Sequence, residues 1–261
     1  MVESPQNQKI KKLTRLLSDN RFRRKEGIFV VEGKQENDRA LRHGYRCVEY
    51  FICPGIFKDK ITPFKEHRIH YITKNLYKKI AYRNTVEGIL GVYKAINKKL
   101  NNFSASENST IIVLESTEKP GNLGAILRSC EAFGVDALII ADPKIDLYNP
   151  NVIRSSVGCI FGMNVFQEKN TEIEHFLENN GYKIFTTFIN KKSASVTETK
   201  FEGKNAIIFG TEHSGVSQYW QNKGTNINIP MIGSINSLNL SNAVAIICYE
   251  CLKQKSQDTQ S

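Results

Sequence analysis

No stretch of this 261-residue chain approaches the roughly 20 consecutive apolar residues that a bilayer-spanning helix needs. Residues 1–9 lack the apolar core of a signal peptide, so the expected location is cytoplasmic. Neither G-x-G-x-x-G nor a Walker sequence occurs, which counts against a dinucleotide-binding oxidoreductase and a P-loop nucleotidase. The six cysteines are too scattered for a disulfide framework, and no His/Cys/Asp cluster has the spacing of a metal site. Cys248 and Cys251 form a lone C-x-x-C near the end of an apolar segment, where packing is the expected role. No metal is therefore expected.

What the sequence does have is basic charge, unevenly distributed. Residues 1–100 carry 23 Lys+Arg against 10 Asp+Glu, whereas residues 101–261 carry 13 against 16. The whole excess lies in the first hundred residues. A polyanion such as nucleic acid is its natural partner, because each neutralised phosphate releases condensed counterions. The plainer alternative is a solvated basic face. Lys9, Lys11, Lys12, Arg21, Arg23, Arg24 and Lys25 form the densest group and are the candidate nucleic-acid contacts.

Forty per cent apolar residues allow real cores, and their periodicity divides the chain. Residues 8–17 place Ile10, Leu13, Leu16 and Leu17 at helical spacing, and 28–32 reads as a strand. A helix over 33–43 follows, then strands at 48–53 and 68–72, each leading into a lysine-rich helical stretch, and a closing strand at 88–92. Residues 97–109 are polar and turn-prone and coincide with the change of charge, so a boundary is placed there. Beyond it, apolar runs at 110–114, 137–141, 182–187, 206–209 and 226–229 alternate with helical segments at 122–133, 171–180 and 239–254. That alternation predicts a parallel α/β sheet.

Ligands of open parallel sheets bind outside the carboxyl ends of the strands, which directs attention to three strand-to-helix loops. The first, residues 118–128, offers Asn122 as a helix cap, Gly124 for close packing and Arg128 six residues on from Asn122. A capped helix with an ordinary surface arginine is the alternative. The second, residues 209–215, is bounded by Gly210 and Gly215, with Glu212 between them. Its exposed backbone could hold an adenine or ribose, or it could be a turn with a structural glutamate. The third, residues 229–243, places Asn236, Ser237, Asn239 and Ser241 at the head of an apolar helix, more hydrogen-bonding capacity than one N-cap requires.

Together these loops resemble, in order and approximate spacing, the three signature motifs of the SpoU/TrmH family of RNA methyltransferases in the SPOUT class. Asn122, Gly124 and Arg128 match the first motif, and Gly210, Glu212 and Gly215 the second. Ile229, Pro230, Met231, Gly233, Ser237, Leu238, Asn239, Ser241 and Ala243 match the third. Residues 153–158 are similar to the family segment between the first two motifs, and residues 29–33 resemble its ribosomal-protein-L30-like substrate-binding domain. Lys119 and His213 depart from the acidic and the small residue of the family pattern.

The resemblance implies an α/β fold of two parts: a small L30e-like α/β substrate-binding domain over 1–97, a linker over 98–109, and a SPOUT domain over 110–261. The SPOUT domain would have a parallel sheet and a deep trefoil knot. It also implies a homodimer, consistent with the long apolar final helix, and S-adenosylmethionine as cofactor. Thr187, Gly210, Glu212, Gly215, Ile229, Met231 and Leu238 would hold the cofactor, while Arg128, Asn122, Glu212, Ser237 and Asn239 would form the catalytic group. The expected reaction is methylation of a ribose 2′-hydroxyl, with ribosomal RNA the expected substrate and no membrane partner. A transfer-RNA methyltransferase and a non-catalytic RNA-binding assembly factor of the same fold stay open as alternatives, and so does an α/β enzyme using another nucleotide, disfavoured by the missing fingerprint.

Overall fold

A computed structural model of the chain describes residues 1–59, 68–81, 87–188, 193–211 and 214–258. The chain forms two compact units. The first comprises Met1–Asn97 together with Asp146–Gly162, and the second Lys98–Ile145 with Met163–Ser261. Part of the lysine-rich stretch expected after residue 53 lies outside the described residues.

In the first unit, helix α1 (Gln8–Ser18) starts at Asn7, whose side chain accepts the Lys9 N–H. Its apolar stripe of Ile10, Leu13 and Leu16 is buried, and its lysines face outward. Helix α2 (Asn20–Glu26) is capped by Asp19 and stopped by Gly27 in the left-handed conformation. Strand β1 (Ile28–Glu32), helix α3 (Lys34–Arg42), strands β2 (Cys47–Ile52) and β3 (Ile69–Tyr71), helix α4 (Lys74–Ile80) and strand β4 (Ile89–Lys94) complete the N-terminal part. The strands form a sheet in the order β1-β4-β2-β3, antiparallel except for β2 with β3.

The segment Asp146–Gly162, with helices α6 (Pro150–Ser155) and α7 (Cys159–Gly162), completes this unit's core. Tyr148 stacks on Phe29 at 4.1 Å between ring centroids, and Phe161 packs edge-on against Tyr45. The Tyr148 hydroxyl donates to the Ile96 carbonyl at 2.7 Å. Arg23 Nε donates to Asp146 Oδ2 at 2.7 Å, with the two side chains only 4% and 8% exposed.

The second unit is a seven-stranded sheet in which every recorded pairing is parallel. Its strands are β5 (Thr110–Glu115), β6 (Ala137–Ala141), β7 (Val165–Glu168), β8 (Lys183–Thr186), β9 (Ala194–Ser195), β10 (Asn205–Phe209) and β11 (Thr225–Asn228). The order is β7-β6-β5-β10-β8-β11-β9. The strands β5, β6 and β10 are buried along their whole length, as expected of strands covered on both faces. Helices α5 (Pro120–Ala132), α8 (Asn170–Asn179) and α9 (Leu240–Asp258) accompany the sheet, and α5 packs along α9.

The cysteines are free thiols, all buried except the half-buried Cys47. Burial pushes the Cys251 thiol up to about 12 and that of Cys47 up to about 11. No described helix is long and apolar enough to cross a membrane.

Candidate functional site

The carboxyl ends of the adjacent strands β10, β8 and β11 surround a cavity of about 270 Å³. Its floor comes from Thr187, Phe209, Gly210, Thr211 and Gly215, and its walls from Ile227, Asn228, Ile229 and Met231, with Ser237 and Leu238 from the third loop. One face of α9 closes it through Leu240, Ala243 and Ile247. These three fall at helical spacing, whereas Ile246 and Tyr249 point outward and are exposed.

Local backbone chemistry builds the floor. The turn after β10 closes on itself: Thr211 N–H donates to the Gly215 carbonyl at 3.0 Å, and Gly215 N–H donates to the Thr211 carbonyl at 3.1 Å. Gly215 has φ +66°, where a side chain is strained. Gly210 is required for a different reason, since a Cβ there would fall on the Gly215 carbonyl. Thr187 extends the β8 ladder, its N–H donating to the Ile208 carbonyl at 3.0 Å and its hydroxyl reaching the same oxygen at 3.1 Å. Beyond the turn, hydrogen bonds from Lys223 and Tyr219 hold the Glu174 carboxyl below the usual carboxylate range.

The cavity thus gathers Thr187, Gly210, Gly215, Ile229, Met231, Ser237 and Leu238, all read as site residues from the sequence. Glu212 and His213 lie outside the described residues. Asn239 stands at the head of α9 and caps it: its Oδ1 accepts from the Ser241 N–H at 2.9 Å and the Ser241 hydroxyl at 2.7 Å. Asn122 and Arg128 are not among the lining residues. Arg128 is exposed on α5. Asn122 is not the cap of that helix, because Pro120, with φ preset and no N–H to satisfy, opens it earlier than the sequence suggests.

The motifs do not single out Ile227, Asn228, Leu240 and Ile247, although the i, i+3, i+7 spacing from Leu240 could have identified the α9 face. Among the basic residues, Lys9, Lys11, Lys12, Arg21, Arg24 and Lys25 are exposed, Lys12 pairing with Glu26 at 2.7 Å. Arg23 is a correction: it is buried, bound to Asp146 and donating to the Leu16 carbonyl at 2.6 Å, so it is not free to meet a phosphate.

The donor set suits an adenine-bearing cofactor. Apolar side chains form a slot, and turns whose backbones approach too closely for a Cβ leave main-chain groups to make the polar contacts. Among the described residues no group of three or more His, Cys, Asp or Glu side chains could hold a metal.

Comparison with known proteins agrees with this geometry. Residues 109–249 match the SpoU rRNA Methylase family, and residues 7–91 match the MRM3-like substrate binding domain. The chain is 26% identical to the 23S rRNA (guanosine(2553)-2′-O)-methyltransferase RlmP of Bacillus subtilis, over 95% of this chain and 97% of that one. A solved RNA 2′-O ribose methyltransferase superposes with a TM-score of 0.84 at 29% identity, covering 98% of this chain and 99% of that one. AviRb of Streptomyces viridochromogenes, a SpoU methyltransferase solved in complex with the cofactor AdoMet, gives a TM-score of 0.84 over 96% of this chain and 99% of its own. At 23% identity that likeness is one of fold. With the family match extending over more than half its length, and the cavity built from the second and third loops, the chain belongs to the SpoU rRNA methylase family.

Proposed function

We propose that this protein transfers a methyl group from S-adenosylmethionine to a ribose 2′-hydroxyl of ribosomal RNA. The observation that carries the reading is the cavity at the carboxyl ends of β8, β10 and β11, where residues of the second and third motifs meet. RlmP acts on 23S rRNA by its name, and AviRb holds AdoMet within the same fold, which supports both the substrate class and the cofactor.

When bound, S-adenosylmethionine supplies a methyl carbon on a cationic sulfonium, so no metal is needed to activate the leaving group. The backbone at Gly210, Ile229 and Leu238 would hold the adenosyl part, and Thr187, Met231 and Gly215 would complete the slot; Glu212, between the two glycines, belongs to the same proposed group. Asn239 uses its carbonyl oxygen in capping α9, which leaves its amide hydrogens for substrate, beside the Ser237 hydroxyl. The planar, cationic guanidinium of Arg128 suits an electrostatic role: it grips a phosphate and stabilises charge developing on the ribose oxygen. Asn122, in the first turn of the same helix, would orient that group.

We further propose a cytoplasmic homodimer. Ile246 and Tyr249 on α9, and Ile232 and Ile235 in the loop before it, are exposed apolar side chains that a second copy would cover. Because Arg128 does not line its own chain's cavity, a dimer also gives it a second cavity to serve. The strand order, with β8 between β10 and β11, is consistent with a carboxyl end threaded into a knot. The 1–97 part, with exposed Lys9, Lys11, Lys12, Arg21, Arg24 and Lys25, would hold RNA, the polar 98–109 stretch would link it, and 110–261 would carry the chemistry.

The test is incubation of the full chain with methyl-labelled S-adenosylmethionine and total RNA, followed by alkaline hydrolysis. Label recovered in hydrolysis-resistant dinucleotides of ribosomal RNA is the expected result. Label on a base, in transfer RNA alone, or in no RNA overturns the reading.

A further inference from the structure

Glu115 ends β5 with 4% of its surface exposed, and its hydrogen-bond partners among the described residues are neutral. The Ser217 N–H donates to Oε2 at 2.8 Å, the Ser217 hydroxyl donates to Oε1 at 2.7 Å, and the Asn170 amide reaches Oε1 at 3.5 Å. A carboxylate withdrawn from water without a counter-ion is costly. The core does not demand it, since the preceding strand residues Ile111, Ile112, Val113 and Leu114 are all apolar. What the carboxylate offers is two acceptors in one plane, both directed at a single residue.

Ser217 lies two residues beyond Gly215, at the exit of the turn that floors the cavity. The turn's neck is closed by the paired Thr211 and Gly215 backbone bonds, and Val216 between the neck and Ser217 is buried. Gly210 approaches the Gly215 carbonyl too closely for a Cβ, so a displacement at the exit is passed to the cavity floor. A second brace lies beside the first: Trp220 Nε1 donates to Asn170 Oδ1 at 2.6 Å, and Asn170 Nδ2 donates to Asp142 Oδ2 at 2.6 Å. Ser116 and Asp142, which follow β5 and β6, both adopt φ of +45°, a strained conformation for side chains other than glycine. Asn170 thus links the carboxyl ends of β5 and β6 beside the Glu115 carboxylate.

We propose that Glu115 is a positioning residue for cofactor binding. It is not among the residues that line the cavity, and it acts through Ser217 to fix the Gly210 to Gly215 turn. The proposal rests on the reading of the cavity as the S-adenosylmethionine site.

Equilibrium dialysis of the full chain against radiolabelled S-adenosylmethionine tests it, with melting temperature and RNA affinity measured in parallel. Glu115→Gln keeps the volume but leaves one acceptor oxygen for the two Ser217 donors and removes the charge that strengthens both bonds, and should raise the cofactor Kd about tenfold while leaving RNA affinity unchanged. Ser217→Ala should raise Kd by a smaller factor, and Ser217→Thr, which keeps both donors, should retain wild-type affinity. Adding Ser217→Ala to Glu115→Gln should not deepen the loss, because both changes break the same link. The Glu115→Gln change should appear in KM for the cofactor rather than in kcat. A Glu115→Gln chain that melts earlier but binds the cofactor normally overturns the proposal, as do independent effects of the two substitutions. If Glu115→Gln does not fold, the contrast between Ser217→Ala and Ser217→Thr decides. Failure of the unsubstituted chain to bind the cofactor removes the reading of the cavity, and the proposal with it.

Discussion

At the scale of single residues, three substitutions separate the floor of the cavity from the chemistry above it. Gly210→Ala must displace the Gly215 carbonyl, so the cofactor Kd should rise by more than about tenfold, as dialysis would measure. Gly215→Ala meets open space and carries only the cost of its positive φ, on the order of 1–2 kcal/mol in melting experiments. Arg128→Ala should leave cofactor affinity intact and slow single-turnover methylation by about 10²–10³-fold, the loss associated with one preorganised electrostatic group. Unaltered single-turnover rates would return Arg128 to an ordinary surface residue. Co-refolding Arg128→Ala with Gly210→Ala should restore partial activity if Arg128 serves the cavity of a second protomer, and none if it serves its own. Gly210, Gly215 and Leu238 line the cavity, and the resemblance to the family motifs is what pointed to them; the two glycines also stand out by residue type, since the turn they bound needs close approach and a positive φ. Ile247 was not legible in the sequence, because a buried isoleucine on an apolar helix looks the same whether it faces a core or a ligand.

At the scale of elements, α2 carries two kinds of arginine that a charge count cannot tell apart. Arg24 and Lys25 are exposed, and neutralising each should reduce the salt dependence of RNA binding by about 0.7–0.9 in log–log slope, with the melting temperature unchanged. Arg23→Ala leaves the Asp146 carboxylate buried and unpaired, and should destabilise the first unit by about 3–5 kcal/mol in denaturant titration. An RNA-binding defect in Arg23→Ala without loss of stability would contradict this assignment. The same distinction marks what the sequence revealed of the fold. The strand expected over 137–141 coincides with β6, and the 28–32 reading with β1, because uninterrupted apolar runs announce themselves. The strands β7 and β9 carry no such signal: one ends in Gln167 and Glu168, and the other has two residues and no periodicity to detect.

At the scale of the whole molecule, the boundary near residue 97 tells only part of the division, since Asp146–Gly162 returns to the first unit from the middle of the second. Nothing in local composition could reveal this, because the contacts that hold the segment are long-range, from 52 residues for Tyr148 to Ile96 up to 123 for Arg23 to Asp146. A fragment of residues 98–261 would therefore carry Tyr148 and Phe161 without Phe29 and Tyr45 to pack against. It should aggregate when expressed alone and regain solubility when residues 1–97 are co-expressed. A monodisperse, well-folded 98–261 fragment in light scattering would refute that expectation. Simple removal of the segment is no remedy, since it carries the crossover that parallel strands β6 and β7 require.

The discontinuity also sets an order of events during synthesis. Arg23 leaves the ribosome 123 residues before Asp146 does, an interval of roughly 6–25 s at about 5–20 residues per second. Throughout that interval the guanidinium must stay hydrated, and Phe29 must wait for Tyr148. The amino-terminal unit, first to be translated, thus cannot finish folding until part of the second has been made: β5, α5 and β6 emerge before its last piece arrives. A chain arrested before residue 146 would carry its basic surface over the core that Ile10, Leu13, Val30 and Leu90 share, but with Arg23 lacking its carboxylate and Phe29 lacking Tyr148.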